Sequence, residues 1–95
     1  MAEFDDRMAA LRDRFIAQTA QDLERLRAGI PARDWIDVRD ICHRLSGRGG
    51  MFGFPELGDA ARALEESIDR GDALQVLDRL SDQLLAEAER LAQGR

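Results

Sequence analysis

The chain predicts an all-α fold, an antiparallel up-and-down four-helix bundle, and three observations carry that prediction. Four stretches repeat apolar residues at intervals of three and four, the period of a helix with one buried stripe. Each stretch is bounded by glycine, proline or aspartate, the residues that start and stop helices. No stretch alternates apolar and polar residues as a half-buried strand would; valine and isoleucine are few, and tyrosine is absent. Four such helices with short connections bury their stripes most simply when each neighbour reverses direction.

The first helix is expected from about Glu3 to Ala28, with Phe4, Met8, Leu11, Phe15, Thr19, Leu23, Leu26 and Ile30 on its buried stripe. Gly29 and then Pro31 supply the stop, glycine past the end and proline beyond it. Asp34 is the expected N-cap of the second helix, because its carboxylate can accept from first-turn N–H groups. Trp35, Val38, Cys42, Leu45, Gly49 and Phe52 form the second stripe, and Gly53 offers a left-handed stop. Phe54 and Pro55 open the third helix, where proline's missing N–H does no harm. Leu57, Ala61, Leu64 and Ile68 make its stripe and Gly71 ends it. Asp72 is placed to cap the fourth helix, with Gln75 answering in a capping box, ahead of Leu74, Leu77, Leu80, Leu84, Ala88 and Leu91.

At 95 residues the whole chain, 1–95, is expected to be one domain with a modest core. Its 44% apolar and 35% charged residues are a globular balance, not a disordered one. No apolar run approaches the roughly 20 residues that span a bilayer. The opening Met1-Ala2-Glu3-Phe4-Asp5-Asp6 is acidic and lacks the order of a signal peptide, so a cytoplasmic protein without a membrane partner is expected. The single Cys42 allows no internal disulfide, in keeping with a reducing compartment. A net charge of -5 argues against nucleic-acid binding. Scattered surface charge favours a monomer. All 14 basic residues are arginine, a usage ascribed to coding bias. Residues 39–53 carry Arg39, Arg44 and Arg48 against Asp40 alone, a net +2 in a chain whose remainder carries -7. Such an island suits a transient, localised anion.

That island contains the stretch Cys42 to Phe54, with the only histidine and four of the eight glycines. A glycine in a helix interior costs about 1 kcal/mol relative to alanine, so Gly47, Gly49 and Gly50 call for a reason. At 100° per residue His43 lies roughly 140° from the centre of the second stripe and faces solvent. Arg39 and Ser46 share its face, with Gly47 and Gly50 beside it. Those two glycines clear the histidine's surroundings, whereas Gly49 lies on the stripe and allows close helix packing. A lone exposed histidine is ordinarily a solvated surface residue, and glycines equally mark a frayed or kinked helix end.

Read together, these residues resemble the histidine-containing phosphotransfer (HPt) domains of two-component phosphorelays. The family motif runs His-x-Leu-Lys-Gly, five residues, Gly, three residues, Leu, six residues, Leu-Glu. His43, Leu45, Gly47, Gly53, Leu57, Leu64 and Glu65 fall on it without an insertion. Phe52-Gly53-Phe54 is also similar to the phosphotransfer domain of chemotaxis histidine kinases. The resemblance in length and helix order runs from about Met8 to Leu91. The one departure is Ser46, which stands where the family has a lysine thought to complement the phosphoryl charge. A serine hydroxyl donates a hydrogen bond but brings no charge. Arg39, one turn before His43, is the best-placed substitute, with Arg48 and Arg62 as weaker candidates.

The resemblance implies a phosphorelay intermediate in which His43 is the phosphoacceptor, exchanging its phosphoryl group with the aspartate of a response-regulator receiver domain. A histidine kinase or hybrid kinase is the other implied partner. It also implies that Glu65 orients His43, by analogy with chemotaxis domains where the matching glutamate bonds the histidine. The helical wheel alone leaves open whether the two side chains meet. Arg39, Ser46, Gly47, Gly50 and Arg48 are expected to support the phosphate or the docking partner. Phosphoryl transfer needs a metal to neutralise charge, yet Cys42 and His43 are adjacent and point to different faces, so the domain has no cofactor of its own and Mg²⁺ is expected from the receiver. The chain is then a carrier and not an enzyme. Ile36, two turns before His43, and Phe54 are expected to add apolar docking area. The competing reading is an adaptor that binds a receiver or kinase without accepting phosphate, with Ser46 as its support. An enzyme using His43 as a general base lacks a cleft-forming set of partners in so small a bundle.

Overall fold

The structure, a computed structural model, describes residues 2–93; Met1 of the acidic opening stretch and residues 94–95 lie outside them. Four helices follow one another: α1 (Ala2–Ala32), α2 (Trp35–Arg48), α3 (Pro55–Arg70) and α4 (Leu74–Ala92). Among the described residues there is no strand, and no helix is long and apolar enough to cross a membrane. The helices form a closed ring in which α1 touches α2 and α4, and α3 touches α2 and α4. Ion pairs between neighbours give their directions. Arg25 pairs with Asp37 while Arg44 pairs with Asp22, so advancing along α2 retreats along α1. Arg27 with Glu89 and Arg33 with Asp78 reverse α4 against α1 in the same way. The bundle is antiparallel.

Its core is the four predicted stripes meeting on the axis. Leu26, Val38, Cys42, Leu64, Leu84 and Ala88 are wholly buried, and each large aliphatic among them contributes about 1.5–3 kcal/mol relative to exposure. Ile41, absent from the predicted stripe of α2, is also wholly buried. It sits beside Cys42 because α2 is sandwiched between α1 and α3 and so buries a wider arc than one stripe. Leu74, assigned to the stripe of α4, is instead exposed at the start of that helix.

α2 stops at Arg48 with Gly49 as a right-handed cap, short of the expected stop at Gly53, and the turn after it shares one geometry with the ends of α1 and α3. At Gly53 and Gly71 the chain turns left-handed, with φ of +90° and +70°. Bonds from Phe54 N–H to the Gly49 carbonyl and from Asp72 N–H to the Ser67 carbonyl close each turn in the Schellman pattern. The expected stop of α1 at Gly29 and Pro31 is not where the helix ends. It continues to Ala32 and closes in the same pattern at Arg33, with φ of +60° and a bond from Asp34 N–H to the Gly29 carbonyl. Gly29 is buried and serves packing: a Cβ there would lie 3.2 Å from a Val38 methyl. Pro31 forgoes one backbone bond in the last turn, too little to stop a helix held on two sides.

At the helix starts Asp34 caps α2 as expected, accepting from Asp37 N–H. Pro55 occupies the first turn of α3. The expected capping box of α4 does not form. Its N-cap is Ala73, and the Asp72 carboxylate is turned to the Ser67 hydroxyl at 2.6 Å and to Arg70. A buried hydroxyl and a cation compete better for that carboxylate than first-turn amides that water can satisfy.

The N-terminal part of α1 outruns its neighbours. Its 31 residues span about 46 Å at 1.5 Å each, close to the 48 Å long dimension of the molecule. The first buried stripe residue is Phe15; Phe4 and Leu11, assigned to the stripe, remain exposed because no other helix reaches them.

Candidate functional site

The site lies on the α2–α3 face, and its register follows from the antiparallel packing. A step of four residues along α2, from Arg39 to His43, is answered by a step of four backwards along α3, from Asp69 to Glu65. A close approach near the end of α2 brings the two helices together. Gly49 abuts the backbone of Gly58, where a Cβ would fall 2.7 Å from the Gly58 nitrogen and 2.9 Å from its Cα. Gly58 was not singled out in the sequence, since a glycine one turn into a helix carries no signal of the surface it meets.

His43 and Glu65 meet. His43 Nδ1 lies 2.7 Å from Glu65 Oε2. The histidine side chain is 72% exposed, while that of Glu65 is 12% exposed. A carboxylate oxygen only accepts, so Nδ1 is the donor of this bond, and Nε2 takes no part in it. The Ser46 hydroxyl donates to the His43 carbonyl at 3.0 Å and reaches Glu65 Oε1 at 3.5 Å. Ser46 therefore steadies the histidine's turn and its glutamate and brings no charge.

Arg39 is on the expected face and already engaged. Its Nε and Nη2 donate to the two oxygens of Asp69 at 2.6 and 3.0 Å, and Nη2 lies 3.6 Å from Glu65 Oε2. The hydrogen bonds from Arg39 hold the Asp69 carboxyl below its ordinary range, with the charge of Arg39 adding to the effect. The Arg39 guanidinium is in turn pushed up by Asp69. Asp69 was missed in the sequence although a signal existed: it lies one turn beyond Glu65 as Arg39 lies one turn before His43.

Gly47 and Gly50 open onto free space, since a Cβ at either would meet nothing within 4 Å. Arg48 is elsewhere, lining a groove of about 420 Å³ with Leu11, Arg14, Phe15, Gln18, Met51 and Phe52 on the α1 side. Arg62 is exposed on α3 and makes no ion pair among the described residues. Ile36 is 81% exposed. Phe54 is half-buried: its ring stacks 6.0 Å from that of Phe15, beneath the Arg12 guanidinium, and also lines a groove with Glu56, Leu57 and Arg90. Cys42 is sealed in the core, where burial pushes its thiol up to about 12, so it is no nucleophile.

The chain matches the Hpt domain family over residues 10–94. It belongs to that family. Neither a curated protein nor a solved structure matches it. Hpt domains are phosphotransfer modules of two-component signalling; they carry a phosphoryl group and work with kinases and response regulators. In this Hpt domain the family match takes in all four helices and begins at Ala10, within the part of α1 that outruns the bundle.

Proposed function

We propose that this Hpt domain is a phosphorelay intermediate whose phosphoacceptor is His43 Nε2, exchanging its phosphoryl group with a receiver-domain aspartate. The observation that carries the reading is the 2.7 Å contact between His43 Nδ1 and Glu65, which leaves Nε2 as the free nucleophile. In the transfer the Nε2 lone pair attacks phosphorus and the bond to the aspartate oxygen breaks. The ring becomes cationic while Nδ1 keeps its proton, and the Glu65 carboxylate stabilises that charge. The open space at Gly47 and Gly50 gives the receiver's active site room to approach in line. The receiver supplies Mg²⁺, and Ile36 supplies apolar contact area. Arg39, one helical turn before His43 and 3.6 Å from the glutamate that holds it, takes the part that the family lysine would have played.

The test is transfer of radiolabelled phosphate from a phosphorylated receiver or kinase. Acid-labile, base-stable label on the chain, lost in His43→Gln, is the expected result. Stable complex formation without label, unchanged in His43→Gln, would instead identify a non-phosphorylated adaptor.

A further inference from the structure

Arg39 is the cation beside the phosphoacceptor, but its guanidinium is not idle. Asp69 accepts from both its Nε and its Nη2 and so holds it bidentately. The pair is exposed, with 40% and 48% of the two side chains accessible, so water competes and the pair can open at little cost. A phosphoryl group on Nε2 would be a dianion with three acceptor oxygens on the solvent side of the ring, one helical turn from Arg39. Asp69 already takes two of the guanidinium's five N–H donors and shares its charge, so the carboxylate and the phosphoryl oxygens draw on the same cation.

We infer that Asp69 is a positioning residue that competes with the phosphoryl group for Arg39 and so keeps phospho-His43 poised to give its phosphoryl group up. This inference rests on the phosphorelay reading above. A carrier gains from such a competitor. If the arginine held the phosphoryl group without opposition, onward transfer would first have to break that hold. With Asp69 recapturing Arg39 as the phosphoryl group departs, the lost contact is replaced.

Phosphoramidate tests the idea without a protein donor. His43 Nε2 attacks its phosphorus, the phosphorus–nitrogen bond breaks and ammonia leaves. Hydrolysis then returns inorganic phosphate, with water attacking phosphorus and the Nε2–phosphorus bond breaking. Phosphohistidine is followed by phosphorus NMR after removal of the donor, with circular dichroism showing that each variant is folded. In Asp69→Asn the half-life of phospho-His43 should lengthen about two- to fivefold, the range that an exposed ion pair commands. Asp69→Glu, which keeps the competing carboxylate, should stay near wild type. In an Arg39→Gln background Asp69→Asn should change nothing.

An unchanged half-life in Asp69→Asn overturns the inference while leaving the phosphorelay reading intact. A lengthening that persists in the Arg39→Gln background also overturns it, since Asp69 would then act by direct repulsion. No label on His43, judged against His43→Gln, overturns both.

Discussion

His43 and Glu65 divide one task between an exposed ring and a sheltered carboxylate. With 12% of its side chain accessible, Glu65 is sheltered against its helix, and it fixes the ring through one short bond. A hydrogen bond to a charged group is worth about 1.5–3 kcal/mol and one between neutral groups about half that. The ring turns cationic as phosphorus is attacked, so the charge on Glu65 matters more in the transition state than before it. Glu65→Gln, which keeps the shape and loses the charge, should therefore slow phosphoryl uptake by about tenfold with unchanged helicity. Stopped uptake assays on wild type and variant decide this, and equal rates would remove Glu65 from the chemistry.

Among the helices, α2 shows that its glycines have opposite roles. Gly49 meets Gly58 backbone to backbone, and neither can yield. Gly49→Ala should cost about 1–3 kcal/mol through overpacking, measured as a lower urea midpoint. Gly47 meets nothing, so Gly47→Ala should raise stability by up to about 1 kcal/mol through helix propensity alone. If the opening is kept for a receiver, the same variant should lose transfer from a receiver while keeping uptake from phosphoramidate. A receiver-dependent rate equal to wild type would show that the space is not used.

The sequence made these roles partly legible, because the helical wheel alone separates the stripe glycine from the two beside His43. It misread Gly29, since a glycine demanded by a neighbouring Val38 looks the same on paper as one demanded by a left-handed turn. The real stop, Arg33, carries no glycine signal; its strain is accepted at a corner where its guanidinium also pairs with Asp78. Asp72 was taken for a cap because its position in sequence fits one, but the buried Ser67 hydroxyl one turn back claims it. The matched spacing of Arg39 before His43 and Asp69 after Glu65 was a signal, but it became a pairing only through the α2–α3 register that packing supplies.

For the molecule as a whole, the part of α1 beyond the bundle bears little on the fold. Phe4 is 63% exposed and Leu11 43%, and the continuous core begins at Phe15. A chain lacking residues 1–9 should unfold cooperatively with a melting temperature within about 4–8 °C of the full chain, the shift that 1 kcal/mol makes in a domain of this size. Calorimetry checks it, and loss of the transition would assign the segment a structural role.

The response of stability to pH follows from which groups this composition leaves free to titrate. On the acid side, Asp69 and Asp72 are both held below their ordinary range, by Arg39 and by Arg70 with Ser67 respectively. Carboxylates with depressed folded values stabilise above the unfolded value near 4, and that stability is lost as pH falls further. On the alkaline side the chain has no lysine and no tyrosine, and its arginines stay charged. Cys42 is thus the one side chain that titrates between pH 8 and about 12, with a thiol raised from 9.0 to about 12 by burial. A raised folded value means that the folded state keeps its proton while the unfolded state loses it. The stability is therefore whole below about pH 9 and declines above it by about 1.4 kcal/mol per pH unit, on the order of 4 kcal/mol by pH 12. Urea midpoints from pH 8 to 11 should fall accordingly in the wild type. Cys42→Ala should start lower, because it leaves a cavity, and then stay level across the same range. A level wild-type profile, or an equal slope in Cys42→Ala, would show that some other group governs alkaline unfolding.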